Sequence, residues 1–326
     1  MKQGRILSGM RPTGRLHIGH LVGALANWAA LQDDYDCFYM VADWHALMSE
    51  YEDSSRIAAN TREMVADWIG AGLDPKRSTI FVQSQVAQHA ELHLIFSCII
   101  PLGWLERCPT YKEALVQVTD RDIHNYAFLG YPCLQAADIL LYLADVVPVG
   151  EDQLPHLELT REVARRFNHL FAEVFPEPKA KLTRSARLLG LDRRKMSKSY
   201  GNTIDLADEP EAIRSKVLSM ITDPARVRRS DPGHPEVCNV HDYYQAFAPE
   251  VVLSVAEECR SAKRGCVECK QELAGILERA LAPIREKRNE VLSKASTIDG
   301  ILEEGRAKAA AQADTTMSLV HKAIRF

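Results

Sequence analysis

The chain has 326 residues, with 40 Lys and Arg against 44 Asp and Glu and a formal net charge of −4. That length accommodates about two domains with a sizeable core, and the 46% of hydrophobic residues belongs to a globular protein rather than a disordered one. Mild acidity excludes bulk coating of nucleic acid but leaves room for a local basic face, and no apolar run reaches the ~18 residues of a membrane span.

The N-terminus enters a strand-like run at once and lacks the apolar core of a secretory signal, so a cytoplasmic protein is expected. Arg5 to Met10 reads as a short buried strand. A turn follows, Arg11-Pro12-Thr13-Gly14-Arg15-Leu16-His17-Ile18-Gly19-His20, and then a helix over Leu21 to Leu31, with apolar residues near 3.6 spacing. Two histidines three apart therefore share a face at a strand–turn–helix junction. A helix N-terminus offers free N–H groups and a positive dipole end, which suit phosphate, and Gly19 permits close approach to the backbone. The alternative is a pair of satisfied structural histidines.

Further strands are expected at Cys37–Ala42, Ser78–Gln83 and Val146–Val149, alternating with helices at Ser54–Gly70, Ala90–Leu102 and Leu154–Leu170. This βαβα order predicts an α/β fold with a doubly wound parallel sheet of Rossmann type. Polar residues just past strand ends, such as Asp43-Trp44-His45 and Ser84-Gln85, lie where such sheets bind ligands. Tyr111 to Tyr126 is polar, either irregular or a surface helix. From Leu134 to Tyr142 the character is helical and apolar, yet Gln135 and Asp138 share a face, with Tyr131 one turn earlier. A carboxylate there is costly unless something donates to it, either another part of the protein or a ligand. Gly150-Glu151-Asp152-Gln153 closes the fourth strand. Glu151 and Asp152 are either helix caps or holders of a ribose or, through water, of Mg2+.

Lys195-Met196-Ser197-Lys198-Ser199 is a small cationic loop ended by Gly201 and Asn202. Lysine is a mobile point charge suited to a phosphate whose geometry changes during reaction, although a short basic loop can equally be a solvated turn. Beyond residue 205 strand signals fade. Ile213–Met220, Glu278–Ser293 and Ile301–Arg325 read as helices, so residues 1–205 form the α/β domain and 206–326 an all-helical one, whose last helix packs back on the first. Cys37, Cys98, Cys108 and Cys133 are scattered and read as small buried side chains. Cys238, Cys259, Cys266 and Cys269 are clustered as C-x20-C-x6-C-x2-C, which in a reducing compartment points to a metal rather than to disulfides, with zinc the general expectation for four cysteines. Arg226, Arg228, Arg229, Lys263 and Arg264 give the same region a basic face.

His17-Ile18-Gly19-His20 and Lys195 to Ser199 match the two signatures of class I aminoacyl-tRNA synthetases letter for letter and in the family's order. The stretches Gly9–Gly14, Leu134–Tyr142, Val149–Gln153 and Glu158–Arg161 resemble the bacterial-type tryptophanyl-tRNA synthetases, and the likeness runs over essentially the whole chain. The nearest alternative is the tyrosyl-tRNA synthetases, which share the Tyr131…Gln135…Asp138 spacing. A synthetase-like sensor without catalysis is the non-enzyme alternative.

The resemblance implies ATP-dependent activation of L-tryptophan and its transfer to tRNA(Trp), with Mg2+ accompanying ATP, by a homodimer. It assigns His17, His20, Lys195 and Lys198 to catalysis. ATP would be lined by Arg11, Pro12, Thr13, Gly19, Gly150, Glu151, Asp152, Met196, Ser197 and Ser199 together with those four. Tryptophan would be held by Asp138 at the indole N–H, by Tyr131, Gln135 and Gln153 near the ammonium, and by Val147 and Val149 as apolar walls. At Gln135 the chain departs from the methionine of many bacterial relatives. The last two cysteine intervals resemble a subset of the family that carries a [4Fe-4S] cluster in its tRNA-binding domain. The first interval is slightly shorter than theirs, and zinc remains the alternative.

Overall fold

In the computed structural model, which describes residues 2–109, 111–112, 125–182 and 188–326, the apolar runs expected as strands lie side by side in one sheet. The strands are β1 (Arg5–Met10), β2 (Asp36–Val41), β3 (Ser78–Val82), β4 (Val146–Val149) and β5 (Lys179–Leu182). All pairs are parallel and the order is β3-β2-β1-β4-β5. Register is continuous across the centre, with Ile6 opposite Cys37 on one side and Val146 on the other. The order reverses between β1 and β4, and this opens a crevice beyond their carboxyl ends. β5 was not foreseen: Lys-Ala-Lys-Leu has no apolar run, and its lysines suit an unpaired edge.

Side chains alternate across the strands into two cores. Ile6, Cys37, Tyr39, Val41, Ile80 and Val82 pack on one face; Leu7, Phe38, Met40 and Phe81 pack on the other. The first face receives α1 (Ile18–His20), a π-helical turn at Leu21–Leu25 leading into α2 (Ala26–Leu31), and α4 (Ile57–Gly70). The second receives α5 (Gln88–Ser97), α6 (Leu102–Glu106), α7 (Tyr126–Leu141) and α8 (Leu154–Leu170), while α3 (Asp43–Ser49) follows β2 directly. The helix expected from Leu21 thus begins three residues earlier, because His17 caps it. Of the polar stretch Tyr111 to Tyr126, residues 113–124 lie outside the described residues.

The remainder is helical: α9 (Pro210–Ser219), α10 (Asn239–Phe247), α11 (Val252–Arg260), α12 (Cys266–Leu292) and α13 (Ala295–Ile324). α12 starts twelve residues before the expected helix and carries Pro283 inside it. Leu273, Leu277 and Leu281 of α12 share a core with α4 and the sheet, so the helical part is welded to the first face. α13 lies along β3, the other edge of the sheet. Gly305 permits this approach, since a Cβ there would strike the Ile80 carbonyl. Among the described residues, no helix is long and apolar enough to cross a membrane.

Candidate functional site

A cleft of about 1130 Å³ opens at the carboxyl ends of β1 and β4. β1 and its turn bring Arg11, Thr13, His17 and His20 to it; α7 brings Tyr131, Gln135 and Asp138; β4 and the following turn bring Val147, Val149, Gly150 and Gln153; and the late loop brings Lys195, Met196, Ser197 and Lys198. Residues some 180 positions apart in sequence thus face one space. Pro12 is buried, Glu151 and Asp152 are exposed, and none of these nor Gly19 lines the cleft. Asp152 instead accepts a hydrogen bond from the Gln153 amide at 3.1 Å. The side chain of Ser199 lies outside the described residues.

The histidine turn is built by backbone amides. His17 Nδ1 accepts the Gly19 N–H at 3.2 Å, and His20 Nδ1 accepts the His17 N–H at 3.2 Å. An N–H donor facing Nδ1 requires a lone pair there, so each neutral ring carries its proton on Nε2 and keeps that N–H as a donor. Burial, then His20 and Lys198, pull the His17 pKa down to about 3. Burial and Lys198 pull that of His20 down to about 4, against the His17 amide. The rings sit 3.8 Å apart, centroid to centroid. The backbone amides from Leu16 to Leu21 are all engaged within the protein, so the two neutral Nε2–H groups, set at the positive end of a helix, are the donors this turn offers an anion.

The late loop closes over this turn. A Cβ on Gly14, whose φ is +126°, would stand 3.1 Å from Lys198 Nζ, so the ammonium lies directly above the first turn. Burial lowers the Lys198 pKa, while Asp205 and Asp67 counter it. Asn202, 3% exposed, stitches the loop: its Oδ1 accepts the Ser197 N–H at 2.8 Å, and its Nδ2 donates to Lys195 O at 3.1 Å and Asp192 Oδ1 at 2.7 Å. Met196 is buried at 7% exposure and joins the hydrophobic core, which anchors the loop at its centre. Lysines on such an anchored loop can change reach without the loop unfolding.

At the other end of the cleft Asp138 is 2% exposed and already has protein donors. Gln83 Nε2 donates to its Oδ1 at 2.8 Å, His89 Nδ1 to the same oxygen at 2.7 Å, and His45 Nε2 to Oδ2 at 2.7 Å. His89 is itself braced by Tyr142, whose hydroxyl lies 2.8 Å from its Nε2. Burial alone would raise the Asp138 pKa, but the bonds from His45 and His89 outweigh it and hold the carboxyl well below the usual range. Of the two donors open in the sequence, the structure therefore supplies the protein one. A carboxylate accepts about four hydrogen bonds, so one position on Oδ2 remains, on the oxygen beside His45 at the cleft. Sequence reading missed His45, Gln83 and His89 as partners of Asp138, although two of them stand just past the ends of β2 and β3. It also missed His156, which lines the cleft and meets Tyr131 Oη at 3.1 Å and Cys108 Sγ at 3.5 Å. Phe128, also in the lining, was not singled out either.

Away from the cleft, Cys238, Cys259, Cys266 and Cys269 are half-buried free thiols. Burial pushes Cys238, Cys259 and Cys269 up, and each of these also feels charge on others of the set, as sulfurs within reach of one another do. Arg226 Nη1 lies 3.9 Å from Cys259 Sγ and 3.8 Å from Cys266 Sγ, while its buried Nε has no hydrogen-bond partner among the described residues. No group of three or more His, Cys, Asp or Glu is set for a metal ion among the described residues.

Comparison with known proteins agrees with this geometry. The family model described as "tRNA synthetases class I (W and Y)" matches residues 1–282. The chain is 53% identical to the tryptophan–tRNA ligase of Thermotoga maritima, over 99% of each. It is 41% identical to that of Aquifex aeolicus, over 99% of this chain and 100% of the other. The crystal structure of Campylobacter jejuni tryptophanyl-tRNA synthetase complexed with ADP and tryptophan is similar at a TM-score of 0.89 and 32% identity, over 99% of this chain and 100% of that one.

Proposed function

The chain belongs to the class I tRNA synthetases of the tryptophan and tyrosine type, and from that premise we propose how its cleft charges tRNA with tryptophan. It is a ligase: L-tryptophan and ATP give tryptophanyl-adenylate and pyrophosphate, and the tryptophanyl group then passes to tRNA(Trp). The observation that carries the reading is the union, in one cleft, of the histidine turn, the lysine loop and a buried carboxylate with one acceptor position left.

A tryptophan carboxylate oxygen bonds to the α-phosphorus as the bond to pyrophosphate breaks. No protein nucleophile is needed, so catalysis lies in positioning and in stabilising charge on phosphate oxygens. His17 and His20 give Nε2–H donors to the phosphates. Being neutral, they donate without forming an ion pair that would hold the ground state as tightly as the transition state. Lys195 and Lys198 meet the departing pyrophosphate, with Ser197, Ser199 and Met196 shaping the loop. Arg11 and Thr13 form the wall of the first turn, with Pro12 and Gly19 shaping its backbone behind them, and Gly150 meets the nucleoside, with Glu151 and Asp152 at the rim outside the lining. Mg2+ accompanying ATP would neutralise part of the phosphate charge.

Tryptophan places its indole N–H on the remaining acceptor of Asp138, with Tyr131, Gln135 and Gln153 around its ammonium and Val147 and Val149 against its ring. An indole N–H is a donor and nothing else, so phenylalanine would leave that acceptor unpaired, and a site built on such a bond rejects the analogue by about 10^4-fold or more.

Residues 206–326 form the tRNA-binding part, and the chain works as a homodimer in the cytoplasm. Four half-buried thiols beside a guanidinium with an orphaned Nε have the donor chemistry of an anionic iron–sulfur cluster, although they are not drawn together as a metal-binding group, and the likeness of the last two intervals to the cluster-bearing subset of the family favours [4Fe-4S] over Zn2+. Bound there, the cluster would tie the loop carrying Cys238 to α11 and α12 beside basic residues that face the tRNA; it has no part in the chemistry. Iron and acid-labile sulfide near four atoms per chain in anaerobically purified protein, absent from a Cys266→Ser and Cys269→Ser variant, supports it; a colourless protein with one zinc refutes it. Charging of total tRNA tests the main reading: only labelled tryptophan should become acid-precipitable, and charging with tyrosine would refute it.

A further inference from the structure

Two chains of hydrogen bonds run from α12 to the histidine turn and grip it from opposite sides. Arg288, 6% exposed on α12, donates from Nε to Asp67 Oδ1 at 2.7 Å and pairs with Glu63 through another arm of its guanidinium. Asp67, fully buried on α4, uses its second oxygen to accept the Leu16 N–H at 3.1 Å. Leu16 immediately precedes His17. One turn earlier on α12, Arg285 Nη1 donates to Asp208 O at 2.9 Å, and Asp208 Oδ2 accepts the Asp205 N–H at 2.8 Å. The segment 204–206 then pairs with the turn: Leu206 N–H donates to Leu16 O, and Ile18 N–H to Ile204 O, both at 2.9 Å. The backbone of Leu16 is thus held at its N–H by Asp67 and at its carbonyl by Leu206. α4 and α12 meet closely at this level, where a Cβ on Gly70 would lie 2.6 Å from Ile284 O.

A buried ion pair is weak evidence for stability, because packed apolar residues of similar volume often serve as well. What a guanidinium fork supplies is fixed direction. Here the direction given to Asp67 is passed to a single amide, and that amide is joined to the ring pair facing the cleft. We propose that Arg288 is a positioning residue for amino-acid activation: through Asp67 it sets the backbone of Leu16, and thereby the aim of the His17 and His20 donors at the phosphates. It touches no substrate. The inference rests on the reading of the cleft as the ATP site. Asp138 and the tryptophan end lie on α7, beyond the other face of the sheet, and are not addressed by this chain of bonds.

The test is tryptophan-dependent pyrophosphate exchange, with melting temperature measured alongside, on the full chain and four variants. Arg288→Ala is expected to lower kcat by about 10- to 100-fold, the scale of a misaimed catalytic group, with the KM for tryptophan within about twofold. Arg288→Lys, which keeps the charge and loses the fork, should recover part of the loss. Leu277→Ala, which opens a cavity on the same helix, should lower the melting temperature while keeping kcat. Arg288→Met combined with Asp67→Leu leaves no buried charge behind; it should fold and still show the kcat loss. A kcat for Arg288→Ala and for the Arg288→Met, Asp67→Leu pair equal to that of Leu277→Ala, or a tryptophan KM that moves with kcat, overturns the inference. Inactive wild-type protein would instead overturn the reading of the cleft itself.

Discussion

Replacing Asp138 with Asn separates the two tasks of this carboxylate. The amide oxygen can take the place of Oδ1 and keep both the Gln83 and His89 donors, which lie at 2.8 and 2.7 Å. The amide nitrogen then stands where Oδ2 stood, facing His45. Neutral His45 can turn its acceptor nitrogen toward that NH2 by a tautomer shift, so the fold survives, at a cost of about 1–3 kcal/mol for the imperfect pairing. The cleft side has no such remedy, because an NH2 there meets the indole N–H donor to donor. Losing a charge-assisted bond and stranding a buried N–H costs about 2–4 kcal/mol, or about 30- to 1000-fold in tryptophan affinity. Calorimetric titration with tryptophan reads this directly, and exchange kinetics give the companion KM; the KM for ATP should hold steady. Because the hydrogen bonds from His45 and His89 hold the Asp138 pKa depressed, its contribution is present above the unfolded carboxylate range and is lost only as pH falls through the folded value. Wild-type tryptophan affinity should therefore show no carboxylate step between pH 5 and 8. A folded Asn variant that binds tryptophan within twofold of wild type would refute the assignment of the last acceptor position to the indole.

Lys198→Ala should lower the exchange kcat by about 100-fold or more while calorimetric tryptophan affinity stays unchanged, since the ammonium lies over the first turn and far from Asp138 in function. The two histidines set an acid limit on stability. Their folded pKa values are lowered, to about 3 and about 4, so the unfolded chain binds more protons at pH values between these and the usual 6.5. Stability is thus unaffected above about pH 6.5 and falls as the pH drops below it, by of order 2 kcal/mol per ring at pH 5. Urea denaturation of wild type and His20→Asn at pH 7 and pH 5 checks this; the pH 7-to-5 loss should be smaller in the variant, and an equal loss would refute it. Over pH 6 to 8 neither ring titrates, so a kcat step near 6.5 that disappears in His20→Asn would also contradict the neutral-donor mechanism.

Four of the five strands, the parallel winding and both signature segments were legible because each rests on local information. Ile6 and Leu7 alternate across the sheet, the strand–turn–helix order is written out in sequence, and Lys195 to Ser199 is contiguous. β5 was not legible, because four residues with two lysines carry no period. The extra three turns of α12 were missed although Leu273, Leu277 and Leu281 recur every four residues, because the stretch after Cys266 was read for its cysteine spacing rather than for its period. Asp138 could be seen as an anomaly in an apolar helix, but not as a satisfied one. Its donors come from α3, from the end of β3 and from α5, 93, 55 and 49 residues away, and only the fold brings them together. Asn202 read as a turn residue; its three hydrogen bonds show a fastener of the lysine loop. Arg288 and Asp67 read as an unremarkable helical Arg and Asp, and nothing in their local sequence points to Leu16.

The central claim is that one cleft holds tryptophan at Asp138 and ATP between His17, His20 and Lys198. Pyrophosphate exchange without tRNA, run separately with tryptophan, tyrosine and phenylalanine, tests it most directly. Incorporation of labelled pyrophosphate into ATP should depend on tryptophan and stay at background with the other two. Exchange supported equally by tyrosine, or none with tryptophan, would contradict the account.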